Sequence, residues 1–163
     1  RHPKALHSHG SAAPLRGMKL SMFEGGLRVP GVVRWPGHVK PGTEIAEPVA
    51  FYDLLPTFCA LAGTTPVGPT DGVNVQPLLE GRAATVDRPI PLHWQCDASP
   101  DGPWRLAVRR GPWKLLADAD RKQFALFNLA DDVSETHDRA AEHPEIVKEL
   151  SAELNRLYVP PKS

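Results

Sequence analysis

The sequence predicts a small α+β subdomain in its second half, and two observations support this prediction. Between residues 90 and 129, short apolar segments with strand-like texture are separated by turn residues. Residues 144–158 then have the apolar spacing of an amphipathic helix. Three or four antiparallel strands that pack on one such helix form an α+β fold. The first half is richer in loops and contains one candidate strand and one candidate helix.

In the first half, Pro30–Pro36 is a short β-rich run whose two adjacent valines predict a strand buried on both faces. Asp53 is expected to cap a helix that runs to about Ala62, and Gly63 is the natural stop after it. A loop-rich connector follows, with one helical turn expected at Gln76–Leu79. The apolar face expected for the helix comprises Leu54, Leu55, Phe58 and Leu61.

In the second half, the strands are expected to form a meander that the last helix covers. Along the second strand Trp104, Leu106 and Val108 alternate with polar positions, which predicts that they share one face. The helix is expected from about Pro144 to Tyr158, with proline at its favoured first position. The candidate strands are Ile90–Gln95, Trp104–Arg109, Trp113–Ala117 and Phe124–Leu129.

Composition excludes several classes of protein. The 163 residues carry 19 basic and 19 acidic side chains, which removes any general electrostatic case for a nucleic-acid or membrane-surface protein. No apolar run approaches the roughly 20 residues of a membrane span. The two cysteines, Cys59 and Cys96, cannot form a disulfide framework and lack the spacing of a zinc site.

The strongest chemical signal lies in the segment Leu15–Pro30, whose sequence is LRGMKLSMFEGGLRVP. Its two adjacent glycines allow a close backbone approach and separate Lys19 and Glu24 from the strand expected near residue 30. Lys19 is therefore expected on a loop at a strand edge, where anion-binding groups often lie. Residue types alone leave a second interpretation open, in which Lys19, Glu24 and Arg28 are solvated surface charges.

This segment resembles the motif G-K-x-x-x-Y-E-G-G-x-R-x-P of the sulfatase family, arylsulfatase-like members of the alkaline phosphatase superfamily. Five further stretches resemble family motifs in the same order, so that the resemblance extends from about Pro14 over nearly the whole chain. The sequence departs from the motif at Leu20, where glycine is usual, and at Phe23, where tyrosine is common. The five stretches are Trp35–Gly37, Asp53–Gly63, Asp71–Gly81, Ala107–Leu115 and Leu126–Thr136.

The resemblance implies an α/β parent fold. Residues 1–88 would form the edge of its catalytic α/β domain, and residues 89–163 a small α+β subdomain in which an antiparallel sheet packs on the C-terminal helix. Family members hydrolyse sulfate esters with a formylglycine made from cysteine in a C/S-x-P-x-R motif, and with Ca²⁺ held by acidic and amide ligands. Neither Cys59 nor Cys96 lies in such a motif. The nucleophile and the Ca²⁺ ligands are therefore expected outside this chain, before Arg1, and the chain alone is expected to be an inactive C-terminal fragment.

Within the chain, the resemblance implies that Lys19 is the catalytic, sulfate-binding residue. His93 is a second candidate, because family loops from the C-terminal subdomain can border the substrate. The partner would be a sulfate-ester small molecule or a sulfated glycan. His7 and His9 form an H-x-H pair with no third ligand nearby, and Cys59 is expected to be an ordinary buried thiol.

Two other functions remain open at this point. The chain is also compatible with a phosphonate or phosphate monoester hydrolase of the same superfamily, or with a non-catalytic binding module. A periplasmic, secreted or lysosomal location is suggested by the resemblance alone.

Overall fold

The computed structural model describes residues 11–93 and 101–158, which form two compact units. The sheet unit consists of residues 11–29, 89–93 and 101–158, and the loop unit consists of residues 30–88. Residues 11–29 thus lie in one compact unit with the C-terminal sheet.

Most elements match the predicted order. The helices are α1 (Glu24–Leu27), α2 (Leu54–Leu61), α3 (Gln76–Leu79) and α4 (Pro144–Leu157). The strands are β1 (Ile90–His93), β2 (Trp104–Arg110), β3 (Trp113–Asp118) and β4 (Phe124–Asn128). In the loop unit, a 3₁₀ turn, Phe51–Asp53, precedes α2, and the expected helical turn at Gln76–Leu79 is present as α3. In the sheet unit, the four strands form one antiparallel sheet in the order β1-β2-β3-β4.

One face of the sheet packs against α4, as the amphipathic pattern predicts. Leu150 and Leu154 are the buried residues of this helix, and they share a core cluster with apolar residues of β2, β3 and β4. Full burial of a leucine side chain contributes about 1.5–3 kcal/mol. The small α+β domain of sheet and C-terminal helix is therefore confirmed.

The opposite face of the sheet is covered by the segment that contains Lys19. Met22 and Phe23 are each 1% exposed and pack against residues of β2, β3 and β4. The rings of Phe23 and Phe127 meet edge to face, with their centroids 5.9 Å apart. The sheet thus lies between α4 and residues 15–29, named here the glycine-rich segment.

The expectation that Trp104, Leu106 and Val108 share a face is wrong for Trp104. Leu106 and Val108 pack in the cluster with α4, whereas Trp104 packs with Met22 on the other face. The β2–β3 register shifts between Trp104 and Leu106. Such an irregularity changes the alternation of side chains, so it moves Trp104 to the opposite face.

The prediction of a strand at Pro30–Pro36 is also wrong. This stretch is irregular and lies on the surface, with Val32 94% exposed. Adjacent valines are buried in a strand only when neighbouring strands and covering layers enclose them, and no strand of the described residues pairs with this stretch.

In the loop unit, α2 begins next to Asp53, but the carboxylate of Asp53 does not cap it. Asp53 already has helical dihedral angles, because the 3₁₀ turn runs directly into α2. A capping residue normally has extended angles that direct its side chain at the following N–H groups. The predicted apolar face of α2 is largely exposed at Leu55 and Phe58, whereas Thr57 is buried.

Candidate functional site

Three charged side chains from distant parts of the sequence meet inside the sheet unit. Glu24 is 4% exposed, and Lys114 and Glu135 are fully buried. The Nζ atom of Lys114 lies 2.9 Å from Oε1 of Glu24 and 2.8 Å from Oε1 of Glu135. The backbone N–H of Glu24 donates to Oε2 of Glu135 over 2.6 Å. These three residues form a closed cluster, named here the acid–lysine cluster.

Three arginines surround this cluster. Oε2 of Glu24 lies 3.1 Å from Nη2 of Arg28 and 3.4 Å from Nη1 of Arg109. Arg16 donates from Nη1 to the backbone carbonyl of Glu135 over 2.7 Å, and its guanidinium lies over the Phe23 ring. The interpretation of Glu24 as a solvated surface charge is therefore wrong, since its carboxylate is buried among cationic side chains.

The two carboxylates of the cluster respond differently to burial. Burial acts to raise the pKa of Glu24, but the ammonium of Lys114 and the two neighbouring guanidiniums together hold that pKa below its ordinary value. Burial raises the pKa of Glu135 above its ordinary value, although Lys114 and the Glu24 N–H oppose the change. Glu24, which has three cationic neighbours, therefore has a lowered pKa, whereas Glu135, which shares only the lysine, has a raised one.

The adjacent glycines allow this arrangement by close backbone contact. A Cβ at Gly25 would lie 2.5 Å from the carbonyl oxygen of Gly17, and a Cβ at Gly26 would lie 2.3 Å from that of Ser21. The N–H of Gly25 donates to the carbonyl of Arg16 over 2.7 Å. Any larger residue would separate the two backbone stretches that meet here.

Lys19 lies at the corner of a tight turn on the surface of the same unit. The N–H of Ser21 donates to the carbonyl of Met18 over 2.9 Å, so Lys19 and Leu20 are the two central residues of the turn. The Lys19 side chain is exposed and makes no hydrogen bond or ion pair within the described part of the chain. The structure therefore presents one solvent-accessible ammonium at the tip of an anchored loop.

The backbone conformation of Leu20 shows why glycine is favoured at this position of the family motif. Its φ angle is 80°, which is the value at the third position of a type II turn and a region that favours glycine. Glycine, the usual residue of the motif at this place, would adopt this backbone without strain.

We therefore predict that Leu20→Gly is more stable than Leu20→Ala by about 1 kcal/mol, because both remove the side chain and only glycine relieves the left-handed strain. Urea unfolding of the two variants measures the difference. The same pair at Leu61, in the last turn of α2, is the control and should show the opposite order, since glycine is unfavourable in a helix. An alanine variant as stable as the glycine variant at residue 20 would contradict the prediction.

The second predicted site residue, His93, lies at the end of β1, where its backbone pairs with Leu106 of β2. Cys59 is half-buried, so the expectation of a buried thiol is only partly met. His7, His9 and Cys96 lie outside the described residues.

Within residues 11–93 and 101–158, no group of three or more His, Cys, Asp or Glu side chains is placed to hold a metal ion. In the same part of the chain, no helix has the length and hydropathy that a membrane span requires.

A second polar cluster stabilises the loop unit and involves Asp53. Its carboxylate accepts hydrogen bonds from the N–H groups of Ala50 and Val73 over 2.7 and 3.0 Å and forms an ion pair with Arg88. The Thr57 hydroxyl donates to the Asp53 carbonyl and accepts from the N–H of Val75. Residues 53–57 thus fix residues 71–73, named here the D-G-V stretch, and the polar side chains of residues 53–57 have a structural role.

Sequence reasoning did not identify Lys114 and Glu135 as members of the candidate site. One signal was available for Lys114, because it occupies a position of β3 whose side chain points away from α4 and toward the glycine-rich segment. A charge at a core-facing strand position requires a buried partner of opposite charge. No local pattern marks Glu135.

Comparison with known proteins gives a consistent result. Residues 18–159 match the family model described as N-sulphoglucosamine sulphohydrolase, C-terminal. Among curated proteins, the chain is 32% identical to arylsulfatase K of Danio rerio over 146 residues, 85% of this chain and 27% of that protein. It is 38% identical to steryl-sulfatase of Rattus norvegicus over 119 residues, 70% of this chain and 20% of that protein.

Among solved structures, the chain resembles Ps i-CgsB in complex with k-i-k-neocarrahexaose, with a TM-score of 0.72 and 31% identity. The match covers 89% of this chain and 32% of that one. A second match, from work on glycosaminoglycan metabolism in Bacteroides thetaiotaomicron, has a TM-score of 0.68 and 28% identity and covers 87% of this chain and 31% of that one. The chain thus spans about a fifth to a third of the length of these relatives.

Proposed function

The chain belongs to the sulfatase family, and on that premise we propose that the polypeptide containing it hydrolyses sulfate esters, with Lys19 binding the sulfate group. The observation that carries the proposal is the placement of Lys19. Its ammonium is exposed at the corner of a turn, and the residues that follow it are buried against the sheet. An anchored cation with no partner within the described residues is suited to an anionic ligand.

The chemistry follows from the charge distribution of the reaction. As a sulfate ester is cleaved, negative charge shifts onto the sulfate and the leaving oxygen, and a positioned cation stabilises it. Lysine suits this role because its ammonium is a compact charge with three rotatable donors. Lys19 performs no covalent step. The nucleophile and the Ca²⁺ ligands that the resemblance implies would lie outside residues 1–163.

The substrate class proposed is a sulfated small molecule or a sulfated glycan. Relatives with saccharides in their names support the second, among them N-acetylgalactosamine-6-sulfatase of Homo sapiens, 44% identical over 84 residues, 50% of this chain and 16% of that protein. The position of His93 at the end of β1 is compatible with a role at the border of the substrate, which we propose on the resemblance alone.

The experiment compares Lys19→Ala, Lys19→Arg and wild type in the complete polypeptide that contains this chain, with an aryl sulfate as substrate. Loss of one charge-assisted contact costs about 1.5–3 kcal/mol, so Lys19→Ala should lower kcat/KM by roughly ten- to a hundredfold. If the contact strengthens in the transition state, kcat falls as well. Lys19→Arg should not fully restore activity, because a planar guanidinium differs in shape from an ammonium.

Lys40→Ala is the matched control, since Lys40 is exposed in the loop unit and its loss should leave the kinetics unchanged. Thermal melts of each variant confirm folding. A Lys19→Ala enzyme with wild-type kcat/KM would show that the lysine has no role in the reaction. Faster hydrolysis of a matched phosphonate ester than of the sulfate would instead favour a phosphonate hydrolase, because an ammonium binds either oxyanion.

A further inference from the structure

We propose that Glu135 is a positioning residue for Lys19, acting through Glu24 and Arg16 and supported by Lys114. This inference rests on the proposed function, since it concerns how the sulfate-binding ammonium is held. The residues of the acid–lysine cluster are buried, whereas Lys19 is exposed, so the cluster can affect Lys19 only by holding its loop in place.

Glu135 contacts the Lys19 loop on both sides. On the N-terminal side, Arg16 donates to the Glu135 backbone carbonyl over 2.7 Å. On the C-terminal side, the N–H of Glu24 donates to Oε2 of the Glu135 carboxylate over 2.6 Å. The residues between these two anchors, 17–23, include the turn that carries Lys19. One residue therefore fixes both ends of the loop.

Glu135 is itself held in place by contact with the sheet. Glu135 Oε1 lies 2.8 Å from Nζ of Lys114, and Lys114 lies within β3, paired with Arg109 of β2 and Phe127 of β4. The backbone φ of Glu135 is 51°, a conformation that costs energy for a non-glycine residue and persists when the surroundings hold it. Here the buried ion pair and the Arg16 hydrogen bond hold it.

Contacts within residues 17–23, between the two anchors, restrict the position of Lys19. Ser21, Met22 and Phe23 are buried, and the N–H of Phe23 donates to the Ser21 hydroxyl over 3.2 Å. The Gly25 N–H donates to the Arg16 carbonyl, which joins the two ends of the loop directly. Because catalytic geometry tolerates little error, a displacement of about 1 Å can lower a rate by as much as a hundredfold.

The test is a double-mutant cycle in the complete polypeptide, with the aryl sulfate as substrate. Glu135→Ala should lower kcat/KM by about five- to fiftyfold in the wild-type background and by less than twofold in the Lys19→Ala background. Lys114→Met/Glu135→Gln keeps an oxygen acceptor for the Glu24 N–H and removes the ammonium that would otherwise face the amide NH2, so it should stay within about threefold of wild type. Asp120→Ala is the control, because Asp120 is 70% exposed and, within the described residues, pairs only with the exposed Lys122.

The outcomes separate this inference from the proposed function. If Lys19→Ala has no effect, both fail. If Lys19→Ala lowers kcat/KM but Glu135→Ala does not, or if Glu135→Ala costs as much without Lys19 as with it, only the positioning role fails. A merely structural role for Glu135 would lower the melting temperature and leave the kinetics below it unchanged.

Amide exchange in this chain provides a readout that does not depend on activity or on the yield of active enzyme. Glu135→Ala should speed exchange at the Ser21, Glu24 and Gly25 amides by at least tenfold, while amides of β3 keep their protection. If Glu135→Ala does not fold, Lys114→Met/Glu135→Leu replaces it in both measurements, because this variant removes one charge of each sign and leaves the Glu24 N–H without its acceptor. Unchanged protection at these three amides would overturn the proposal.

Discussion

Lys114→Met is expected to destabilise the sheet unit by about 3–5 kcal/mol at neutral pH, because removing one partner of a buried ion pair leaves uncompensated charge. Lys114 is fully buried between two carboxylates that are themselves at most 4% exposed. Methionine has a similar length and fills the space, so the loss is electrostatic rather than a cavity effect. Urea unfolding of wild type and of Lys114→Met at pH 7 measures the loss of stability.

The pH dependence identifies the cause. In wild type, the lowered pKa of Glu24 contributes stability that is present above the pKa of the unfolded chain and is lost as the pH falls. In Lys114→Met, both carboxylates lose the ammonium that lowers their pKa, so both pKa values rise relative to wild type and ionisation of the two groups contributes less stability as the pH rises. The difference between the two proteins should therefore shrink as the pH falls from 7 toward 4.

Lys122→Met is the matched control, since Lys122 is 77% exposed and pairs with an exposed aspartate in the turn after β3. Its free energy of unfolding should remain within about 0.5 kcal/mol of wild type. A Lys114→Met protein of wild-type stability, or a loss that does not change with pH, would mean that the cluster contributes no net electrostatic stabilisation.

Helix α4 was predictable because it buries one face with a regular period, from which it obtains most of its stability. Alternation identified β2, although both faces of the sheet are covered, and the other strands were identified as short apolar segments between turn residues. Trp104 was misplaced because a register irregularity leaves no trace in the residue pattern. The expected strand at Pro30–Pro36 failed because two adjacent valines indicate burial only if strands exist beside them.

The candidate site was predictable only at Lys19, and there through resemblance rather than periodicity. The cluster that surrounds its loop depends on contacts between residues far apart in sequence, with Glu24 and Lys114 separated by 90 positions. Local patterns cannot show such pairing. The positive φ of Leu20, by contrast, could have been inferred, because the family motif has glycine at the place where this sequence has leucine.

Asp53→Ala is expected to destabilise the loop unit by about 3–5 kcal/mol, an effect comparable to that of Lys114→Met. Asp53 is fully buried, and its carboxylate is bound by two backbone N–H groups and by the guanidinium of Arg88, whose side chain is 9% exposed. Alanine would leave the N–H groups of Ala50 and Val73 without their acceptors and Arg88 without its carboxylate.

Native-state amide exchange at Val75 and Ala62 measures this loss within the loop unit, because the N–H groups of both are hydrogen-bonded there, to the Thr57 hydroxyl and within the end of α2. Asp71→Ala, at an exposed aspartate of the same unit, should change their free energies of opening by no more than about 0.5 kcal/mol. Asp53→Ala/Arg88→Met removes both charges and should recover part of the stability, since no buried charge is then left unpaired. If Asp53→Ala lowers the opening free energies by less than about 1 kcal/mol, or if the second substitution recovers nothing, the ion pair is not what holds the D-G-V stretch against α2.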